Sequence, residues 1–188
     1  MTRMPLPNFF RVQPSFASHA LPDVSRAVHD ALDAAALADK VSAGQTVAVT
    51  AGSRGVNHIA AIVGEVIEYV ASLGAKPIVV PAMGSHGGAT AAGQAAMLAS
   101  FGIDQESMNC PIVSSMETVN VGTTGSGIAV HFDKVASEAD HVIVVNRVKP
   151  HTRLTGKIES GICKMLMIGL GKHRGAQTYH QAFPEFGY

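Results

Sequence analysis

Three short apolar runs, separated by stretches of helical periodicity, constrain the fold of this chain more than any other feature. The runs are Gln45–Thr50 (QTVAVT), Lys76–Pro81 (KPIVVP) and His141–Val145 (HVIVV). Before the first, Pro22–Lys40 carries Val24, Val28, Leu32 and Leu37 at helical spacing, which predicts an amphipathic helix. Between the first two, Val56–Leu73 sets Ile59, Ile62, Val63, Val66, Ile67 and Val70 on one face, with Gly74 as its C-cap. A third helix is expected over Thr90–Ser100. Further on, Glu117–Gly122 and Gly127–Phe132 flank the turn residues Thr123–Ser126 and predict a β-hairpin, and Val135–Ala139 reads as a helical turn. The strand runs are apolar throughout rather than alternating, so both of their faces must be covered. A mostly parallel sheet with helices on both sides meets that demand.

The expectation is therefore an α/β, layered, Rossmann-like domain. In such sheets ligands bind beyond the carboxyl ends of the strands. Three loops leave strands there: Gly52–Gly55, Met83–Ala89 and Asn146–Thr155, each with charged or titratable residues among glycines. The third opens the stretch 144–180, which carries Lys149, His151, Arg153, Lys157, Lys164, Lys172, His173, Arg174 and His180 against one acid, Glu159. Such a density of positive charge directly after a buried strand calls for an anion or a metal. The whole chain of 188 residues is neutral by formal charge, with 47% hydrophobic and 15% charged residues. That balance suits one soluble domain and argues against nucleic acid or a membrane surface as partner, whereas the local charge suits a small anionic ligand. Self-association is left open. Cys110 and Cys163 make no disulfide framework, the amino terminus lacks the apolar core of a secretion signal, and no run approaches a membrane span. A cytoplasmic location is expected.

Common motifs are mostly absent. There is no G-x-x-x-x-G-K-[ST], no H-E-x-x-H and no G-x-S-x-G, and GTTGSG at 122–127 is explained by turn chemistry. Four residues remain to be weighed. His86 stands between Gly84-Ser85 and Gly87-Gly88, where the glycines permit close backbone approach to a ligand and the imidazole suits acid/base work. Against that stands a loop histidine satisfied by backbone. His151 follows Pro150 at a strand end; alone it reads as a surface histidine, but beside His86 it reads as a partner. Lys164 lies in an apolar run (ICKMLMIGL), where desolvation lowers an amine's pKa and makes it nucleophilic, although a snorkelling lysine is the commoner outcome. His180 by itself is uninformative, since one histidine is not a metal site.

Taken together, GSHGGAT (84–90), PHTRLTGKIESGICK (150–164) and His180 resemble the lactate racemase family that depends on a nickel pincer nucleotide. The resemblance spans the whole chain and corresponds to the amino-terminal, cofactor-binding and catalytic part of the family's usual length, residues 1–188, without its carboxy-terminal domain. It implies that His86 and His151 are the catalytic acid/bases and that Lys164, after Ser160-Gly161, bonds to the cofactor. His180, sixteen residues further on, would be the nickel ligand. Arg54 would meet the substrate carboxylate or the cofactor phosphate, and Gly87 and Gly88 would lie against the cofactor. The implied activity is racemisation or epimerisation of a small anionic 2-hydroxy acid by reversible hydride transfer. Two departures stand out: Gly87 and Gly88 replace the Arg-Pro that usually follows the first histidine, and the interval from His151 to Lys164 is longer. Both point to a sibling group with another substrate. The alternative from another class is a non-catalytic module that binds a phosphorylated, nucleotide-like ligand.

Overall fold

The computed structural model of the protein describes residues 10–15, 20–53, 55–149 and 161–186. The three apolar runs form β1 (Thr46–Ala51), β2 (Lys76–Pro81) and β5 (His141–Val144), and these make one parallel sheet in the order β2-β1-β5. Val47 on the central strand pairs with Pro77 on one side and His141 on the other. Prolines are tolerated in β2 because it lies at an edge. The amide of Val79 points outward to the carbonyl of Pro111, so Pro77 and Pro81, two residues either side, fall where β1 asks for no donor.

Both faces of the sheet are covered, as the continuous apolar runs require. On one face Val47, Val49 and Ala51 pack with Val79 against Val63, Val66, Ile67 and Val70 of α2 (Ile59–Ser72), with α1 (Val24–Ala34) outside it. On the other, Ala48, Val80 and Ala82 pack with Ala136 of α5 (Lys134–Glu138) and with Leu170. The hairpin is β3 (Thr118–Thr123) with β4 (Ala129–Asp133), a separate antiparallel pair carrying a bulge between Asn120 and Gly122.

Helix boundaries differ from the periodicity reading where single residues turn left-handed. The first helix stops at Ala34, and Ala36 (φ 51°) leads into a 3-10 turn over Leu37–Asp39, so the stretch to Lys40 is not one helix. The helix α2 starts at Ile59 rather than Val56 because His58 has φ 55°. At the other end Gly74 (φ 75°) ends it as expected. The helix α3 (Ala91–Ala99) is capped by Thr90, whose hydroxyl accepts from the Gly93 amide at 3.0 Å. One element, α4 (Gln105–Met108), escaped the periodicity argument; a capping box between Asp104 and Ser107 starts it.

The largest difference lies at the carboxyl-terminal end. Beyond the expected loop, where the sequence reading assigned no element other than an apolar run around Lys164, the structure has α6 (Ile162–Lys164), a π-helical turn (Met165–Gly169) and, after a turn at Leu170 and Gly171, α7 (Lys172–Phe186). Its glycines serve packing. A side chain at Gly169 would come within 2.9 Å of the Ala82 carbonyl, and one at Gly175 equally close to that of Met167. Among the described residues no helix is long and apolar enough to cross a membrane.

Candidate functional site

The carboxyl ends of β1 and β2 bring two side chains together that are far apart in sequence. Ser53, one residue past the Gly52 turn, is 9% exposed, and its Oγ lies 2.5 Å from Nδ1 of His86. His86 itself is exposed. The loop that carries it is clamped from below. The buried Gln94 of α3 donates its side-chain amide to the carbonyls of Gly84 (2.8 Å) and His86 (3.3 Å). The His86 amide donates to the Met83 carbonyl at 3.1 Å. Gly87 (φ 63°) rests directly on Gly93, and a Cβ there would lie 2.6 Å from the Gly93 carbonyl carbon. The missing side chain of Gly87 is thus already required inside the fold, whereas Gly88 (φ 67°) has open space around it.

The Lys164 segment joins the same end of the sheet. The Gly84 amide donates to the Gly169 carbonyl at 3.2 Å, and Ile168 covers Gly84. Met165, the residue after Lys164, has its terminal methyl 3.6 Å from where a Cβ of Gly52 would sit. The π-helical turn therefore seats the stretch after Lys164 against both the Ser53 and the His86 loops. An inserted π-turn widens the helix locally and recurs at functional sites. Lys164 is half-buried, and burial pushes its pKa below the ordinary lysine range, with the nearby Lys149 charge adding to the effect. From the segment after β5, Arg147 reaches across to donate to the Gly55 carbonyl at 3.2 Å. Beside Ser53 a cavity of about 80 Å³ opens between Gly52, Gly55, Val56, Ile59 and Phe101. A larger hollow of about 590 Å³ sits at the amino ends of β1 and β2, lined by Thr46, Ile67, Ala71, Lys76 and Cys110, away from this chemistry.

Of the residues singled out in the sequence, His86, Gly87, Gly88, Lys164 and His180 are described; Arg54 and His151 lie outside the described residues. His180 is exposed on α7, with its ring edge-to-face against Phe183 at 5.5 Å. Among the described residues no three His, Cys, Asp or Glu side chains cluster as metal ligands would. Lys172 does not join the cationic set. It is fully buried, with Nζ 2.8 Å from Asp133 Oδ2 and 2.5 Å from the Pro81 carbonyl, which ties the start of α7 to the end of β2 and to β4. Burial lowers its pKa, and Asp133 offsets part of that.

Three residues went unremarked in the sequence. Ser53 adjoins the flagged Arg54 and could have been found there, as a hydroxyl in a strand-end loop. Gln94 and Asp133 had no signal, because a polar residue inside a helix or at a strand end reads as solvent-facing until its burial is known.

No individual curated protein and no solved structure matches this chain. Residues 9–185 match the family model of the lactate racemase N-terminal domain, and the chain belongs to that family.

Proposed function

We propose that this domain holds a nickel pincer nucleotide and uses His86 and His151 as the acid/base pair of a racemase or epimerase acting on a 2-hydroxy acid. Beyond family membership, one observation carries the reading. The Ser53–His86 pair and the segment after Lys164 converge at the carboxyl ends of β1 and β2, where α/β sheets place their ligands.

The residues fit such a group. Lys164 is an amine of depressed pKa, so it has a larger neutral, nucleophilic fraction than a surface lysine and would be the point of attachment. Lys149 beside it, with Arg54, would hold phosphate or carboxylate. Exposed His180 would supply one imidazole to a nickel ion whose remaining donors arrive with the nucleotide. Gly88, with open space where a Cβ would stand, and the Gly87 backbone would line the cofactor.

When bound, the cofactor supplies the electrophilic carbon that takes the C2 hydride and returns it. The protein's own task is the proton. As the hydride leaves C2, the hydroxyl proton must leave too, and the product of that step is a planar 2-keto acid. Return of hydride to the opposite face gives the other enantiomer, so each face needs its own base. His86 serves one face and His151 the other.

The test is protein co-produced with the cofactor-synthesis proteins and assayed against D- and L-2-hydroxy acids by chiral chromatography. His86→Ala and His151→Ala should each abolish interconversion, while intact mass still shows the adduct on Lys164. Full activity in both variants overturns the assignment. Nickel and adduct present without turnover of any 2-hydroxy acid would instead support a binding module.

A further inference from the structure

We infer that Ser53 is a positioning residue for His86: its Oγ accepts a hydrogen bond from Nδ1–H and so fixes Nε2 as the nitrogen that exchanges protons with the substrate. The inference rests on the reading of His86 as an acid/base, but its own content is a tautomer and a ring orientation.

An imidazole has two nitrogens, and a base works only if the reactive one carries the lone pair. Which nitrogen is protonated is set by the hydrogen bond made by the other. The contact here is to Nδ1, at 2.5 Å, from a side chain that is itself only 9% exposed. Ser53 is held by its position: it directly follows the β1 turn at Gly52, against which Met165 is packed. The opposite side of the histidine loop is fixed by Gln94 through the carbonyls of Gly84 and His86. Backbone and ring are therefore located by two different elements, α3 and the end of β1, and rotation about the side-chain bonds of His86 is restricted at its Nδ1 corner.

A serine suits a histidine that must work in both directions. For racemisation the imidazole takes a proton in one direction and gives it back in the other. With Nδ1–H donating to Oγ, that bond persists in the neutral ring and in the imidazolium, so the ring need not reorient between the two half-reactions. The hydroxyl adds no charge to a site whose ligand is anionic.

The experiment uses the full chain labelled with 15N-histidine. Long-range 1H–15N spectra give the tautomer of each ring, and the His86 signals are assigned by their loss in His86→Gln. The expected result is an Nδ1-protonated neutral ring for His86 in the parent protein. That signature should be lost in Ser53→Ala and kept in Ser53→Thr, which retains the hydroxyl at a position bordering the cavity. In the cofactor-loaded protein, Ser53→Ala should lower kcat about tenfold or more with little change in KM, and Ser53→Thr should restore it. An Nε2-protonated ring in the parent, or an unchanged ring in Ser53→Ala, overturns the inference. If the tautomer behaves as stated but His86→Gln still racemises, the positioning stands and the catalytic reading of His86 falls.

Discussion

Lys172 and Lys164 stand eight residues apart in one basic stretch, and nothing in their sequence neighbourhoods foretells their different fates. Lys164 stays half-buried near Lys149 at the ligand end, whereas Lys172 runs into the core to meet Asp133 and the Pro81 carbonyl. The difference arises from partners distant in sequence, which periodicity cannot reveal. A buried ion pair adds little net stability, but removing one member strands the other charge without solvent. Lys172→Met should therefore cost about 3–5 kcal/mol in urea unfolding. Asp133 Oδ1 also accepts from the Ala136 amide and starts α5, so the charge must be removed without the cap. Lys172→Met with Asp133→Asn should recover much of the loss, and a double variant as unstable as the single one would contradict the ion-pair account. The thiols give a simpler check. Cys110 is buried and its pKa is raised by that burial, so it should resist iodoacetamide in native protein and react once the chain is unfolded.

At the scale of elements, α3 and the histidine loop behave as one unit. Thr90 caps the helix through the Gly93 amide and donates to the Gly87 carbonyl, Gly93 lies against Gly87, and Gln94 one residue later holds Gly84 and His86. Thr90→Ala should cost about 1 kcal/mol by loss of the cap. Gly93→Ala is the sharper probe. Its new methyl would overlap the Gly87 carbonyl oxygen, so loop or helix must move, at about 1–3 kcal/mol of overpacking strain. The His86 ring signals should shift more in Gly93→Ala than in Thr90→Ala, which loses only the hydroxyl bond to Gly87 and the cap; unchanged signals in both would show that helix and loop are not coupled. Elements with a full period were legible: the bounds of β2 match, and α2 and α3 differ by a few residues at their ends. The four-residue α4 was not, since it completes barely one turn and depends on the Asp104–Ser107 cap. Nor was the π-turn after Lys164, which lies against Gly84 and Gly52, residues far away in sequence.

On the scale of the whole molecule, the continuous apolar runs sufficed to foretell a parallel sheet with two covered faces. They could not foretell strand order. Parallel pairing puts the carboxyl ends of all three strands on one side, and the order β2-β1-β5 makes the end of β1 the neighbour of the other two, which turns separate sequence motifs into one candidate site. The motifs supplied His86 and Lys164, while Ser53 and Gln94 needed the fold, because their roles are defined by what they touch. Charge follows the same division. A chain with zero formal net charge has no net charge to draw anions from a distance, so an anion is held by local groups such as Lys149 and Lys164. Nicotinate mononucleotide, which shares a pyridine ring and a phosphate with the proposed cofactor, is a suitable probe. Its affinity by calorimetry should fall as salt is raised, because the exposed Lys149 is screened over about 10 Å at 0.1 M salt. The half-buried Lys164 is screened less, so Lys149→Ala should remove most of the salt dependence and Lys164→Ala should lower affinity at every salt concentration. Heparin, which samples extended surface charge, should not retain the protein at physiological salt. Salt-independent binding of the mononucleotide, or equal salt slopes in both lysine variants, would mean that its phosphate is held elsewhere.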